Sequence, residues 1–389
     1  MPTRSNQRGR KHCTRSVFGL LFSLLTALSG CAPAVHYEKS PQWHGDRFEN
    51  PADWSPVPRP GLRELMKWQL SHRPEPRPFR PKVVANDGAA LRNNKDRFSI
   101  TWIGHATTLL QAGGVNILTD PIFSNTVGGI VRNAPPGVAL SSLPPIDVVV
   151  ISHNHRDHLD ASAIDQLDAS VQYIVPLGLA AWFQARGRNR VIELDWWQST
   201  VVSGRAGARA KVTMVPAQHW SRRGLSDENQ SLWGGYVIDA GQTRVYFAGD
   251  TAWPAEFSEI GRRFPHIDYA ILPIGAYAPR WFMRSQHIDP VEAAKAFREL
   301  GAKWLVPVHW GTFRLSDEPM DEPPRLLRRA LGREGVSHLI PLSIGSTFFD
   351  CSTTNILFNP ACVIGIGAHY WFRPAPPAPS RRKADVSLF

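Results

Sequence analysis

Between Ile151 and Asp160 the chain reads ISHNHRDHLD, three histidines and two aspartates in ten positions, directly after the apolar run IDVVV. On an extended segment, residues two apart point to the same side, so His153 and His155 can reach one ion. If the chain then turns, Asp157 and His158 can reach a second ion close by. Imidazole nitrogen and carboxylate oxygen suit zinc, and the lack of cysteine in this stretch argues against an iron–sulfur cluster. The bland alternative is a wet polar loop that happens to be rich in histidine. Against it, H-x-H-x-D-H beside a buried strand is a specific spacing, and metal binding is the chemistry expected here.

The elements around this motif must carry it. Ile146–Ser152 reads as a short buried strand that delivers the motif at its C-terminal end, where α/β proteins usually place ligands. FSITWIGHATTLLQAGGVNILTD alternates and carries Gly113-Gly114, a hairpin signal, and it ends at Asp120. AKVTMVPAQHW reads as a strand ending at His219. SLWGGYVIDAGQTRVYFAGD reads as a hairpin turning near Ala240-Gly241 and ending at Asp250, and KWLVPVHWGTF as a strand ending at His309. DYAILPIGAY is a further strand, followed by a helix with Asp289 as N-cap, Pro290 at N1 and Glu292 at N3, which stops at Gly301. A lone histidine at a strand end is more often structural than a ligand. Taken in chain order, these residues support one another.

The H-x-H-x-D-H stretch resembles the metal-binding motif of the metallo-β-lactamase-fold hydrolases. The resemblance implies an α/β fold, a four-layer αββα sandwich with a dinuclear zinc site at one edge of its paired sheets. His153, His155 and His219 would hold one zinc, Asp157, His158 and His309 the other, and Asp250 would bridge both. Asp120 would orient ligands from outside. Longer strings, among them TWIGHATTLL, NILTDPIFS, PAQHWSRRG, FAGDTAW, PIGAYAPRWFM and QHIDPVEA, are similar to N-acylphosphatidylethanolamine-hydrolysing phospholipase D and its bacterial relatives. That family would hydrolyse the phosphodiester of N-acylphosphatidylethanolamine to N-acylethanolamine and phosphatidic acid. It makes Asp157, Asp250 and His287 the catalytic residues, with His287 as phosphate contact or proton donor. The duller role for His287 is a neighbour of the Asp289 helix cap. A lactone, a β-lactam or another phosphodiester as substrate remains open, as does a non-catalytic metal-binding protein of the outer membrane.

The 389 residues suffice for one large domain or two ordinary ones. Residues 1–30 read as a lipoprotein signal: Arg4, Arg8, Arg10, Lys11 and Arg15, then the apolar run Val17–Leu28, then LSGC, which resembles the bacterial lipobox and marks Cys31 for lipid attachment. Ala32 resembles the pattern that lets a lipoprotein reach the outer membrane, so the expected location is a lipid-anchored, periplasm-facing one. Cleavage lowers the formal charge from +11 to +6, and no dense basic run marks a nucleic-acid groove. Attraction to anionic phospholipid headgroups explains that charge at least as well. Residues 31–96 read as a proline-rich tether and wrapping arm with a short helix over Gly61–Leu70, 97–350 as the hydrolase domain, and 351–389 as a divergent, partly disordered tail. Cys351 and Cys362 could close a small disulfide in an oxidising compartment. YAPRWFMR, Tyr277–Arg284, interleaves aromatics with arginines as a lipid-facing edge would, although packed core also explains Trp281 and Phe282; DWW, Asp195–Trp197, is ambiguous in the same way.

Overall fold

Two sheets, each closed on its outer side by helices, build the chain. The structure is a computed structural model and describes residues 37–54, 58–71, 78–94, 98–204, 207–253, 256–350 and 363–364. The chain divides into two compact units, Met1–Tyr37 and Glu38–Phe389, and every element below belongs to the second. The signal segment, Cys31, both late cysteines and, apart from Val363–Ile364, the C-terminal tail lie outside the described residues.

The first sheet comprises β1 (Ser99–Gly104), β2 (Thr107–Ala112), β3 (Val115–Thr119), β4 (Val148–Val150), β5 (Gln172–Pro176) and β6 (Val191–Leu194). The second comprises β7 (Ser199–Ser203), β8 (Arg209–Val215), β9 (Gly235–Ala240), β10 (Thr243–Phe247), β11 (Tyr269–Pro273) and β12 (Trp304–Val308). Two late strands, β13 (Thr347–Phe349) and β14 (Val363–Ile364), complete the first sheet in the order β6-β5-β4-β3-β2-β1-β13-β14. The second runs β7-β8-β9-β10-β11-β12. β3 to β6 pair in parallel, as do β10 to β12, and the remaining neighbours are antiparallel. The all-buried Val148–Val150 run of β4 is what a strand with parallel partners on both edges requires.

Alternation along the strands sorts the core into layers. Leu109, Leu118, Val149, Tyr173 and Val175 face outward from the first sheet onto Leu91, Ile164 and Phe183 of α2 (Ala89–Arg92), α3 (Ala161–Gln166) and α4 (Ala180–Gln184). Val237, Tyr246, Ala270, Leu272 and Leu305 face outward from the second sheet. They meet α5 (Phe257–Arg263), α7 (Pro290–Glu299) and α8 (Glu322–Val336) through Ile260, Phe297 and Leu327. The intervening residues, such as Leu110, Ile117, Val150, Ile238 and Phe247, are fully buried between the sheets. Tyr236 of the second sheet reaches across, its hydroxyl donating to the Ile151 carbonyl of the first at 2.8 Å. This is the four-layer αββα sandwich.

α7 begins where the sequence says: Asp289 accepts from Val291 and Glu292 N–H while Glu292 reaches back to the Asp289 N–H. The described parts of the N-terminal arm lie on the sandwich. Trp54 stacks on Trp196, Asn50 donates to the His219 carbonyl, and Val84 pairs with Ile344. The arm's helix α1 (Leu62–Leu70) is anchored by Trp68, which packs on Phe282 and Met283 of the short α6 (Arg280–Met283).

Candidate metal centre

At one end of the sandwich six strand ends converge, and each leaves a polar side chain there: His105 after β1, Asp120 after β3, His153 after β4, His219 after β8, Asp250 after β10 and His309 after β12. β8 stops at Val215, four residues short of His219 and earlier than the sequence suggests. Pro216 has no N–H to continue the ladder. The released segment is instead tied to the Asp250 loop, Gln218 N–H donating to Thr251 Oγ1 and Ala252 N–H to the Gln218 carbonyl. Asp250 itself follows Gly249, where φ is +61° and an added Cβ would lie 2.3 Å from Ser152 Cβ, so only glycine lets this loop pass against the histidine motif.

The first group is His153, His155 and His219. His155 Nδ1 stands 2.8 Å from His153 Nε2 and 3.2 Å from His219 Nε2. Outer partners fix the tautomers. His153 Nδ1–H donates to Ser152 Oγ at 2.9 Å, because Ser152 Oγ–H is spent on Asp120 Oδ2, and His219 Nδ1–H donates to the Gln286 carbonyl at 2.8 Å. Both Nε2 atoms are therefore bare lone pairs, and His155 Nδ1 can offer at most one proton between them. A cation satisfies all three nitrogens together.

The second group is Asp157, His158 and His309. His158 Nδ1–H donates to Asp120 at 2.7 Å, leaving Nε2 to face His309 Nε2 at 3.2 Å and Asp157 Oδ2 at 3.5 Å. Asp250 looks at both groups: Oδ2 is 3.2 Å from His158 Nε2 and 3.9 Å from His219 Nε2, and Oδ1 is 3.1 Å from His309 Nε2. All seven residues expected as ligands are thus brought together. Asp120 sits behind them, its oxygens occupied by Ser152 and His158. The donor set, nitrogen and oxygen with no sulfur, fits hard or borderline divalent cations.

Burial and mutual charge set the electrostatics. Desolvation holds His153 and His219 well below the ordinary histidine range and brings His155 down to about 4, so all three are neutral and ready to coordinate. Burial also opposes charge on His158 and His309, but the Asp250 carboxylate outweighs it with help from Asp157, pushing His309 up to about 9 and His158 well above its usual range. Burial would raise Asp157 and Asp250, yet the facing histidines keep both carboxyls ionised far below their usual range.

Residues 115–310 match the β-lactamase superfamily domain. The chain is 37% identical over 318 residues to N-acyl-phosphatidylethanolamine-hydrolyzing phospholipase D 1 of Caenorhabditis elegans, covering 74% of this chain and 88% of that one. This chain is a metallo-β-lactamase-fold hydrolase of the N-acylphosphatidylethanolamine-hydrolysing phospholipase D family. A metal-dependent hydrolase of the UPF0173 family from Methanopyrus kandleri is 29% identical over 242 residues, 61% of this chain and 93% of its own. Among solved structures, the metallo hydrolase Igni18 of Ignicoccus hospitalis superposes with a TM-score of 0.52 at 22% identity, over 65% of this chain and 98% of that one, a likeness of fold.

Further residues of the hydrolase complete the neighbourhood. His287 follows α6 and points Nδ1 toward Asp250 Oδ2 at 3.7 Å, buried and without a hydrogen-bond partner. The helix cap beside it is made by Asp289 and Glu292, so His287 is not needed there. Burial brings its pKa down to about 4, which makes it a neutral N–H donor at pH 7 rather than an acid. His105, Ser152 and the Gln286 carbonyl are contacts that sequence reasoning did not assign. His105 stood in the sequence only within TWIGHATTLL, after Gly104 at a hairpin tip, with no role attached. Trp196 of the DWW stretch is core, its indole donating to the Trp233 carbonyl. In YAPRWFMR the two readings divide: Phe282 is buried against Trp68, whereas Trp281 is 44% exposed.

Proposed function

We propose that this hydrolase is a phospholipase D-type phosphodiesterase acting on N-acylphosphatidylethanolamine at a membrane surface, with two zinc ions held by His153, His155, His219 and by Asp157, His158, His309, and with Asp250 shared between them. The observation that carries the reading is an apolar face beside the centre. Leu62, Leu65, Met66 and Leu70 of α1 are exposed together with Trp281, and Lys67 lies over the Trp281 ring at 5.0 Å. Rings and aliphatic chains at headgroup depth, with cations at phosphate level, are what an interfacial helix presents. The face is linked to the centre by a short chain of contacts. Trp68 packs on Met283, the Met283 carbonyl accepts from the Gln286 and His287 N–H groups, and the Gln286 carbonyl holds His219.

Bound zinc would supply Lewis acidity and a nucleophile at neutral pH. The protein's part is to hold the phosphodiester with its N-acylethanolamine oxygen leaving. Water adds its oxygen to phosphorus, the P–O bond on the amide side breaks, and the leaving alkoxide takes up the proton that the attacking water gives up. His287, neutral and unpartnered, is placed to donate a hydrogen bond to a phosphate oxygen. Lipid mass spectrometry of products from N-acylphosphatidylethanolamine is the test. Phosphatidic acid and N-acylethanolamine should form with the zinc-loaded protein, and more slowly with His287→Ala. No product from a folded, zinc-loaded chain would refute the substrate, and an unchanged rate in His287→Ala would remove that residue.

Polar replacement of the face should act on binding rather than chemistry. Burying an aliphatic side chain contributes about 1.5–3 kcal/mol, so Leu62→Ser with Met66→Ser should weaken flotation with anionic vesicles at least ~10-fold. Turnover of detergent-dispersed substrate should hold, and equal flotation of variant and parent would assign the face elsewhere. The same reading takes Cys31 as lipid-modified, holding the chain at the periplasmic side of the outer membrane. Accumulation of a larger precursor under globomycin is the expected result, and an unchanged band would contradict it.

A further inference from the structure

We propose that His105 is a positioning residue of the metal centre, its Nε2–H donating to Asp157 Oδ2 and so fixing the carboxylate of the second ligand group. This rests on the centre being metal-binding. The contact is 3.0 Å long and spans 52 residues of sequence, from the β1–β2 turn to the histidine motif. Asp157 is the ligand most in need of such a hold. It lies in the turn after His155 rather than at a strand end, its side chain is 14% exposed against 2% for Asp250, and its Oδ2 stands 3.5 and 3.8 Å from His158 and His309.

The fold goes to some length to put the ring there. His105 has φ +54°, a left-handed conformation that is unfavourable for a residue with a side chain. Three hydrogen bonds hold it: its N–H donates to Thr312 Oγ1 at 2.7 Å, and its carbonyl accepts from Trp102 Nε1–H at 2.8 Å and from the His309 N–H at 3.0 Å. The ring lies 3.9 Å from the His309 ring, with Phe313 edge-on at 5.3 Å. Positioning the ring thus also positions a second ligand. His105 and His309 each keep a buried Nδ1 without a hydrogen-bond partner, and both line a cavity of about 10 Å³ with Gly275, Gly311 and Glu318. That is the scale of one water, which would accept from His309 Nδ1–H, donate to His105 Nδ1 and leave the His105 proton on Nε2.

The test is metal affinity, read by cobalt(II) titration of the metal-free full-length chain with its visible absorption. His105→Phe keeps the ring volume and removes the donor, and His105→Gln restores an N–H at similar reach. In the parent, two ions should bind. In His105→Phe the weaker ion should bind ~10–100-fold less tightly, the cost typical of losing an outer hydrogen bond to a ligand, with its absorption bands altered. His105→Gln should return affinity and bands to the parent's. Parent-like binding by His105→Phe would overturn the proposal. So would failure of His105→Gln to restore, because the imidazole would then be needed as a ligand in its own right. If His105→Phe does not fold, His105→Gln decides alone, retention supporting and loss refuting. A parent chain that takes up fewer than two ions would overturn the dinuclear reading itself, and this proposal with it.

Discussion

Asp250→Asn is expected to lower the rate of hydrolysis by about 10³-fold or more, while the metal-free chain keeps its fold. The size follows from position. Disturbing an outer partner of a single ligand typically costs ~10–100-fold, and Asp250 faces both ligand groups at once, so the two losses compound. In free energy ~10³-fold is about 4 kcal/mol of transition-state stabilisation. Asparagine matches the carboxylate in shape, so the passage of the loop past Ser152 at Gly249 is undisturbed. What changes is charge. The side chain can no longer be an anion between His158 at 3.2 Å and His309 at 3.1 Å. Metal content measured beside turnover separates causes: loss of one or both ions with loss of rate supports the shared ligand. Full rate with two ions retained would exclude Asp250 from the centre.

The centre was legible in the sequence to the extent that its chemistry is local. His153, His155, Asp157 and His158 are crowded behind one strand, and two residue periodicities say which of them share a side. His219, Asp250 and His309 each follow an apolar run whose end can be seen, but it was the family resemblance, not the strand ends, that marked them as ligands. The α7 start was legible because Asp289, Pro290 and Glu292 each act on backbone within one turn. His105 was not, since its meaning depends on a contact with Asp157 that no local pattern encodes. The same holds for Gln286, which contributes a backbone carbonyl and could be almost any residue. The division of Trp281 and Phe282 between edge and core likewise depends on where α1 lies, a packing fact beyond the reach of an eight-residue string.

Backbone strain tells a related story. His105, Asp120 and His309 have φ of +54°, +33° and +63°, and each sits directly after a strand. Turning left-handed there aims the side chain inward across the end of the sandwich, where continuing the strand would carry it past. Such conformers persist only where the surroundings over-determine them, and here the surroundings are the centre's own hydrogen bonds: Asp120 to Ser152 and His158, His309 to the His105 carbonyl. Sandwich and ligand cluster are therefore one cooperative structure, and removing the metal should be felt throughout it.

Stripping the metal with a chelator should lower the thermal midpoint by about 10 °C, because two ions, each at 1,000 times its Kd, together contribute about 8 kcal/mol and each kcal/mol moves a chain of this length by about 1–2 °C. The stripped chain should also acquire a pH optimum. Burial depresses five histidines: His153 and His219 well below their usual range, His155 and His287 to about 4, and His105 to about 3. The unfolded chain takes up protons near pH 6.5 that these folded groups refuse, so stability falls as pH drops below about 6.5. His309, raised to about 9, and His158, raised further above its usual range by Asp250 and Asp157 against burial, behave oppositely. Their contribution is full below about pH 6.5 and is lost as pH climbs toward 9. Asp157 and Asp250, held ionised by the histidines, begin to lose theirs only below about pH 4. The midpoint of the stripped chain should therefore peak near pH 6.5 and decline on both sides. In the metal-loaded chain the alkaline decline should vanish, since the ion displaces the protons of His158 and His309 on binding. Thermal melts of both forms from pH 5 to 9 decide it: a stripped chain whose midpoint rises steadily to pH 9 would mean that His158 and His309 are not held protonated by the carboxylates facing them.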